Sequence, residues 1–324
     1  MKNSRRSKTS VCPVSSYILK LLFFFFMPAV PLFFRFPGAD PGINASDPAR
    51  EFRTGSFPEF QRLSVDTVSR EERDLVIYLF EQRYPEKCRG LLRFFRRARL
   101  KTGADHSEDI RNIKYLVYLA PDPWRSLFLD RIGHVRLVDS SGRQFCRGIL
   151  LKTVYVDLGR AASDPKGSYK TFFHECAHGI GCPGGLRCLS VPLRSDAADR
   201  FLPALAAAES GRSLLSDEVG DLCCFFISFS PEEDLLSDML SAFRETDGCP
   251  EIKISGYTHT SSYWNTPGMP EKEFFAGYLS LQFAGDRDLL ERIDDPDRGL
   301  FPRSAACLSA LVSGSLSPGL RTAD

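Results

Sequence analysis

The sequence predicts an α+β protein, and three observations carry that reading. Apolar residues recur at helical spacing on both sides of a central stretch. That stretch, about 134–158, holds the short β-branched and aromatic runs that make strands. A polar loop then leads from Val154-Tyr155-Val156-Asp157-Leu158 into an apolar run containing His174-Glu175-Cys176-Ala177-His178. Helices, a small sheet, then more helices is the order of an α+β chain.

The N-terminus is set apart. Lys2, Arg5, Arg6, Lys8 and Lys20 precede a fourteen-residue apolar run at 21–34 that contains two prolines. That length is short for a membrane span and suits the core of an export signal; residues 1–38 are expected to be a signal peptide or an uncleaved anchor. Membrane contact is expected through this apolar segment. Residues 39–104 read as a linker followed by a helical N-terminal segment. Within them, Ser69-Arg70-Glu71-Glu72 forms a capping box, and Leu75, Val76, Leu79 and Phe80 continue the helix towards Pro85. From Lys87 to Lys101, Arg89, Arg93, Arg96, Arg97 and Arg99 interleave with Leu91, Leu92, Phe94 and Phe95. Such a helix can meet an anionic surface, but a solvated basic face over packed aromatics is the commoner use.

A catalytic unit is expected over 105–312, ahead of a flexible tail at 313–324. Ser107 is placed to cap a helix bearing Ile110, Ile113, Leu116 and Val117, and Asp122-Pro123-Trp124 opens a short one. A strand is expected from His134 to Leu137, a turn at Asp139-Ser140-Ser141-Gly142, and one or two strands between Gln144 and Asp157. Gly179 and Gly181 are placed to end the motif helix. Residues 182–200 read as loop, 201–209 as an alanine-rich helix, and 222–229 as buried. Ser230-Pro231-Glu232-Glu233 opens a helix towards Arg244, and 252–254 suits a short strand. A helix from Pro270 to Phe283 stops at Gly285, and Arg303 to Val312 forms the last.

With 42 basic against 41 acidic residues the net charge is +1, so no overall field points to a nucleic-acid partner. Ten cysteines fit an exported protein; setting aside Cys12 in the N-terminal segment leaves nine, so at least one stays unpaired within the chain. Cys182-Pro183-Gly184-Gly185-Leu186-Arg187-Cys188 is the best local disulfide candidate. A second zinc site from Cys182, Cys188, Cys223 and Cys224 is the sharper alternative, though its spacing matches no common pattern. Buried reduced cysteine is the plainest.

His-Glu-x-x-His carries the chemistry. Residues four apart on a helix lie one turn above each other, so His174 and His178 can grip one zinc ion and Glu175 can act as a general base. The same two histidines on the surface of an ordinary helix would do nothing. A third protein ligand is needed. The position six residues after His178 is Gly184, which excludes the pattern with a third histidine there. A glutamate on a later helix is the other common solution, and Glu271-Lys272-Glu273-Phe274-Phe275-Ala276-Gly277-Tyr278-Leu279 is the best such segment. His259 is a second candidate. Read alone, Glu273 could equally be a solvated glutamate in a helix's first turn.

The pairing of a His-Glu-x-x-His helix with a downstream Glu-Phe-Phe-Ala helix resembles the metalloprotease domain of the anthrax lethal factor family, a gluzincin group. The resemblance covers 150–180 and 261–285. It implies a zincin-like metalloprotease domain preceded by the helical N-terminal segment, with one Zn2+ per chain held by His174, His178 and Glu273. It implies Glu175 as catalytic base and Tyr263, in Ser261-Ser262-Tyr263, as a transition-state donor; Tyr257 competes for that part. Three features depart from the family. Gly277 stands where a second, supporting glutamate is common, the tyrosine lies ten residues before Glu273, and 99 residues separate His174 from Glu273.

The expected function is thus an exported zinc-dependent metalloendopeptidase, secreted or anchored at the cell envelope, acting on a protein or peptide. The substrate is expected along the sheet edge near Val154 to Leu158. The alternative is a catalytically inactive zincin-like binding protein at the cell envelope or a host surface, which Gly277 favours. A weaker third is a membrane-anchored structural protein using the Phe-rich start and the basic helix.

Overall fold

Among the described residues, four α-helices come before any strand. A computed structural model describes residues 65–141, 144–148, 152–164, 167–204, 234–243 and 261–314. The apolar run at 21–34, the linker up to 64, and the expected elements at 205–233 and 244–260 lie outside the described residues. So does most of the tail. All described residues belong to one unit, Gly55–Asp324.

Helix α1 (Arg70–Arg83) starts at the expected capping box. Glu72 N–H donates to Ser69 Oγ at 3.2 Å, and Ser69 N–H donates to Glu72 Oε2 at 3.0 Å. Pro85, with no N–H to give, begins α2 (Pro85–Arg96). The basic stretch is amphipathic as its spacing predicts: Cys88, Leu91 and Phe94 are buried, while Arg89, Arg93, Arg96 and Arg97 are not. Helices α3 (Ser107–Leu119) and α4 (Trp124–Ile132) pack against this pair. Phe80 stacks on Tyr118 with ring centroids 4.4 Å apart, and Arg73 pairs with Glu108 at 2.6 Å. Ser107 is the first helical residue of α3 rather than its cap, which is His106.

The sheet has three strands: β1 (Arg136–Asp139), β2 (Phe145–Arg147) and β3 (Thr153–Val156), in the order β1-β3-β2. The strand expected at 134–137 is shifted by two residues. β3 pairs parallel with β1, Leu137 opposite Val154, and antiparallel with β2, Cys146 opposite Val154. The outer side of β1 is covered where Arg99 bridges Val138. Among the described residues β2 is therefore the edge strand, and β3 is central. The expectation of a sheet edge at Val154 to Leu158 is corrected on this point: strands pair with 153–156 on both sides, and Val154 and Val156 are buried on the face towards the helix that follows.

After the one-turn helix α5 (Leu158–Ala161) comes the motif helix α6 (Lys170–Ile180). Gly181 caps its end at φ 64°, a conformation cheap only for glycine. Gly179 does not end it. A side chain there would meet Val135 Cγ1 at 3.0 Å and Val154 Cγ2 at 3.2 Å, so its absence lets the helix lie close to the sheet.

Residues 187–201, expected as loop, are helical: a turn at Arg187–Leu189, α7 (Ser190–Asp196) and a wider turn to Phe201. Leu189, Leu193, Ala197 and Phe201 recur every four residues and are all buried; Pro192 sits in the first turn, where its missing N–H costs nothing. Then follow α8 (Asp234–Phe243), α9 (Ser261–Trp264), α10 (Met269–Ala284), α11 (Arg287–Asp294) and α12 (Pro302–Val312). Helix α10 matches the expected Pro270–Phe283 span and ends at Gly285. It is buried all round, as an almost wholly apolar helix must be. Helix α11 has a short apolar stripe and an Asp286 cap that sequence reading passed over. No helix among the described residues is long and apolar enough to cross a membrane.

The start of α6 is fixed by a buried polar chain. Tyr169 caps it at φ 51°, a left-handed backbone that costs a non-glycine residue about 1–2 kcal/mol. Its hydroxyl donates to Asp109 Oδ1 at 2.8 Å and accepts from Asn112 Nδ2 at 3.2 Å. His106 lies between Asp109 and Asp139, at 3.0 and 2.9 Å. Asp139, wholly buried, also accepts from Leu158 N–H at 3.2 Å and faces Lys101 at 3.5 Å. Tyr169→Phe is expected to lower stability by about 1–3 kcal/mol, since it strands two buried partners. A reduced urea midpoint with unchanged slope would bear this out.

Candidate metal centre

Helices α6 and α10 make the most extensive helix contact in the structure among the described residues. The contact is aromatic. Phe173 stacks on Phe283 with centroids 4.8 Å apart, and Phe128 of α4 leans on both, at 5.9 and 4.9 Å. Phe172 and Phe173 are buried in the core beside the motif, and its histidines face the same partner helix.

There His174 and His178 meet Glu273 of α10. Their Nε2 atoms lie 3.2 Å apart, and each faces Glu273 Oε2, at 3.1 and 3.2 Å. The Glu273 side chain is 1% exposed, against 12% and 20% for the histidines. Despite that proximity no donor hydrogen is aligned on Glu273 Oε2. Three donor atoms converge on one point, and the three residues form a group able to hold a metal ion. Donors bound about 2.0–2.1 Å from a tetrahedral ion stand about 3.3 Å apart, close to the separations seen. Two neutral imidazole nitrogens and one carboxylate are also a chemically suitable donor set. The residues fit a tetrahedral cation with one position left for water or substrate.

Charge at the centre is coupled. Burial pushes the His174 imidazole down, but the Glu273 carboxylate beside it outweighs that and raises the imidazole to about 9. Burial acts on Glu273 in the opposite direction to the two imidazoles, and the imidazoles win, holding its carboxyl well below the ordinary range.

The other expected residues gather here as well. Glu175 is buried, and its charge acts on His174, on Tyr263 and on Cys146 of β2, so it lies near both the centre and that strand. Tyr263, on α9, donates its hydroxyl to Glu273 Oε1 rather than facing the histidines. Burial first, and then the charge of Glu273, push that phenol far up, which keeps it a proton donor. His259, Tyr257, Cys223 and Cys224 lie outside the described residues. Cys182 and Cys188, the local disulfide candidate, are both free thiols, and Cys307 Sγ lies 3.8 Å from Cys188 Sγ.

Two features were missed from sequence. Asp238 of α8 adds negative charge near both His174 and Tyr263. The signal was the buried stripe Leu235, Leu236, Met239, Phe243, which turns one face of α8, with Asp238 beside it, towards α10. Gly277 has a packing reason: a Cβ there would lie 2.7 Å from Leu235 Cδ1 and 2.8 Å from its Cβ. The place where the resembled family often carries a carboxylate is filled by the side chain of an incoming helix. Among the described residues, nothing hydrogen-bonds His174 Nδ1, which is buried.

The pair makes the metal-free protein sensitive to pH. His174, raised when folded, contributes stability that is complete below its unfolded value of about 6.5 and is lost as pH rises through about 9. Glu273, depressed when folded, contributes above its ordinary value of about 4.3 and loses it on acidification. With chelator present, the difference in thermal midpoint between wild type and Glu273→Gln is therefore expected to peak between about pH 4.5 and 6.5 and shrink towards pH 9. Calorimetry across that range checks it. No protein-family model, curated protein or solved structure matches the chain.

Proposed function

We propose that the chain is a zinc-dependent metalloendopeptidase of zincin-like fold, exported by its N-terminal apolar segment. The observation that carries the reading is the meeting of His174 Nε2, His178 Nε2 and Glu273 Oε2 within 3.1–3.2 Å, with Glu175 of the same motif beside them. These donors come from two helices about a hundred residues apart in sequence, and a structural ion pair has no need of a third buried charge-bearing group. The donor set is the common catalytic zinc set of two histidines and a glutamate.

In this reading His174, His178 and Glu273 hold the ion. Bound there, zinc supplies Lewis acidity, lowering the pKa of a water and polarising the scissile carbonyl. Glu175 takes the proton from the attacking water and returns it to the leaving amine. Tyr263 keeps its proton and, released from Glu273, donates to the carbonyl oxygen as charge builds on it. Asp238 adds negative potential that favours the cationic centre. The peptide lies extended against the free edge of β2, pairing with its backbone. Phe145 on β2 is 41% exposed and stacks on Tyr155 at 4.5 Å, offering an apolar surface to a substrate side chain.

A second reading keeps the metal and drops the chemistry. Ligating histidines usually give their other N–H to a carboxylate or carbonyl that orients them. Among the described residues His174 Nδ1 has no such partner, and this favours an inactive zincin-like binding protein at the cell envelope or a host surface.

Metal analysis of the full chain is expected to give one zinc per chain, lost or much weakened in Glu273→Ala. Glu175→Gln is expected to keep the zinc and lose about 10²–10⁴-fold or more in peptide hydrolysis. Stoichiometric zinc without cleavage of any peptide in a broad library would select the second reading, and wild-type protein without zinc would sink both.

A further inference from the structure

We propose that Cys188 and Cys307 form a redox-modification site, closing to a disulfide that ties the segment after the motif helix to the C-terminal helix α12. Their sulfurs are 3.8 Å apart, and Cys307 Sγ also donates to the Cys188 carbonyl at 3.7 Å. Both residues are half-buried, so an oxidant can reach them, whereas Cys88 and Cys176 are sealed in the core. The proposal does not depend on the metal or on peptidase activity.

The two thiols are held together by contacts that owe nothing to sulfur. Asp196 of α7, wholly buried, accepts from Ser304 N–H at 2.8 Å and from Ser304 Oγ at 2.7 Å. Arg303 pairs with Asp199 at 2.6 Å. Leu189, Leu193, Ala305 and Leu308 are buried in the same core cluster. Helix α12 is thus docked one residue after another beside the turn that carries Cys188, which holds the two sulfurs within 3.8 Å of each other. Cys182 is the competitor. Its sulfur donates instead to the carbonyl of Pro183 at 3.7 Å, whereas that of Cys307 faces Cys188 Sγ. It stays reduced.

The oxidant is a disulfide, either oxidised glutathione or the active disulfide of a thiol oxidoreductase. One cysteine, as thiolate, attacks an oxidant sulfur; the oxidant's S–S bond breaks and its other sulfur leaves with the electron pair and takes up a proton. The second cysteine then attacks the mixed disulfide at the protein sulfur, forms the 188–307 bond and expels the remaining oxidant thiol. Two cysteine thiols are oxidised by two electrons in total, and the oxidant becomes two thiols. The bond would close a span of 119 residues, and long spans give the largest loss of unfolded-state freedom.

Full-length protein is incubated with oxidised glutathione, its remaining thiols are alkylated, and the digest is mapped by mass spectrometry without reduction. The expected result is a linked Cys188–Cys307 peptide pair with Cys182 alkylated, unchanged in Cys182→Ala. Reduction is expected to lower the thermal midpoint by on the order of 10 °C in the wild type and hardly at all in Cys307→Ser. A Cys182–Cys188 link, links only between chains, stable glutathione adducts, or all three thiols alkylated would each overturn the proposal. The mapping is made on the wild type and decides the matter even if Cys307→Ser folds poorly.

Discussion

The contact between Phe173 and Phe283 is the constraint on which the rest depends. It clamps two buried helices whose apolar surfaces come from distant parts of the chain, with Phe128 wedged against both. Burying aromatic rings of this size is among the strongest single contributions a core can make. That strength is needed, because the same contact carries Glu273 into an interior where a carboxylate is costly. The two imidazoles offset the cost, and they sit on α6 beside the very phenylalanine that makes the clamp. Core packing and the polar centre thus share one helix–helix contact, and neither can shift without the other.

The motif helix is fixed a second time at its beginning, by polar rather than apolar means. Tyr169 holds an unfavourable backbone conformation while its hydroxyl sits in a chain of buried groups running through Asp109 and His106 to Asp139. Asp139 ends β1 and accepts from the first residue of α5, so the chain connects sheet, helical layer and motif helix. Sections of backbone that position a reactive group often carry local strain of this kind, balanced by what surrounds them. Here the balancing groups come largely from α3 and the segment before it, upstream of the sheet.

What the sequence made legible was local. The capping box at Ser69, the proline that opens α2 and the glycine that ends α10 each act within a few residues, and each lies where its chemistry says it should. The histidine pair was readable because one helical turn fixes its geometry, and Glu273 because the resemblance pointed to its helix. Strand order was not readable. The run at 153–156 has the composition of an edge or a centre alike, and only pairing partners far along the chain decide between them. The helical segment at 187–201 was hidden by cysteine, glycine and proline at its start, although its four-residue apolar repeat was present. Asp238 was invisible for a different reason: an isolated acidic residue on an amphipathic helix carries no sign of which helix it will face.

The junction of Gly277 with Leu235 also limits which neighbouring sequences this protein can reach. A glutamate at 277 has no room while a leucine from α8 occupies that space. Trimming Leu235 alone would leave a void against α10. The two positions form a locked pair, and passage to the two-glutamate arrangement would require both to change together, through an intermediate that is either overpacked or hollow. In the language of fitness landscapes, α8 has closed a door behind the protein: a polar side chain that reaches His174 cannot come from position 277.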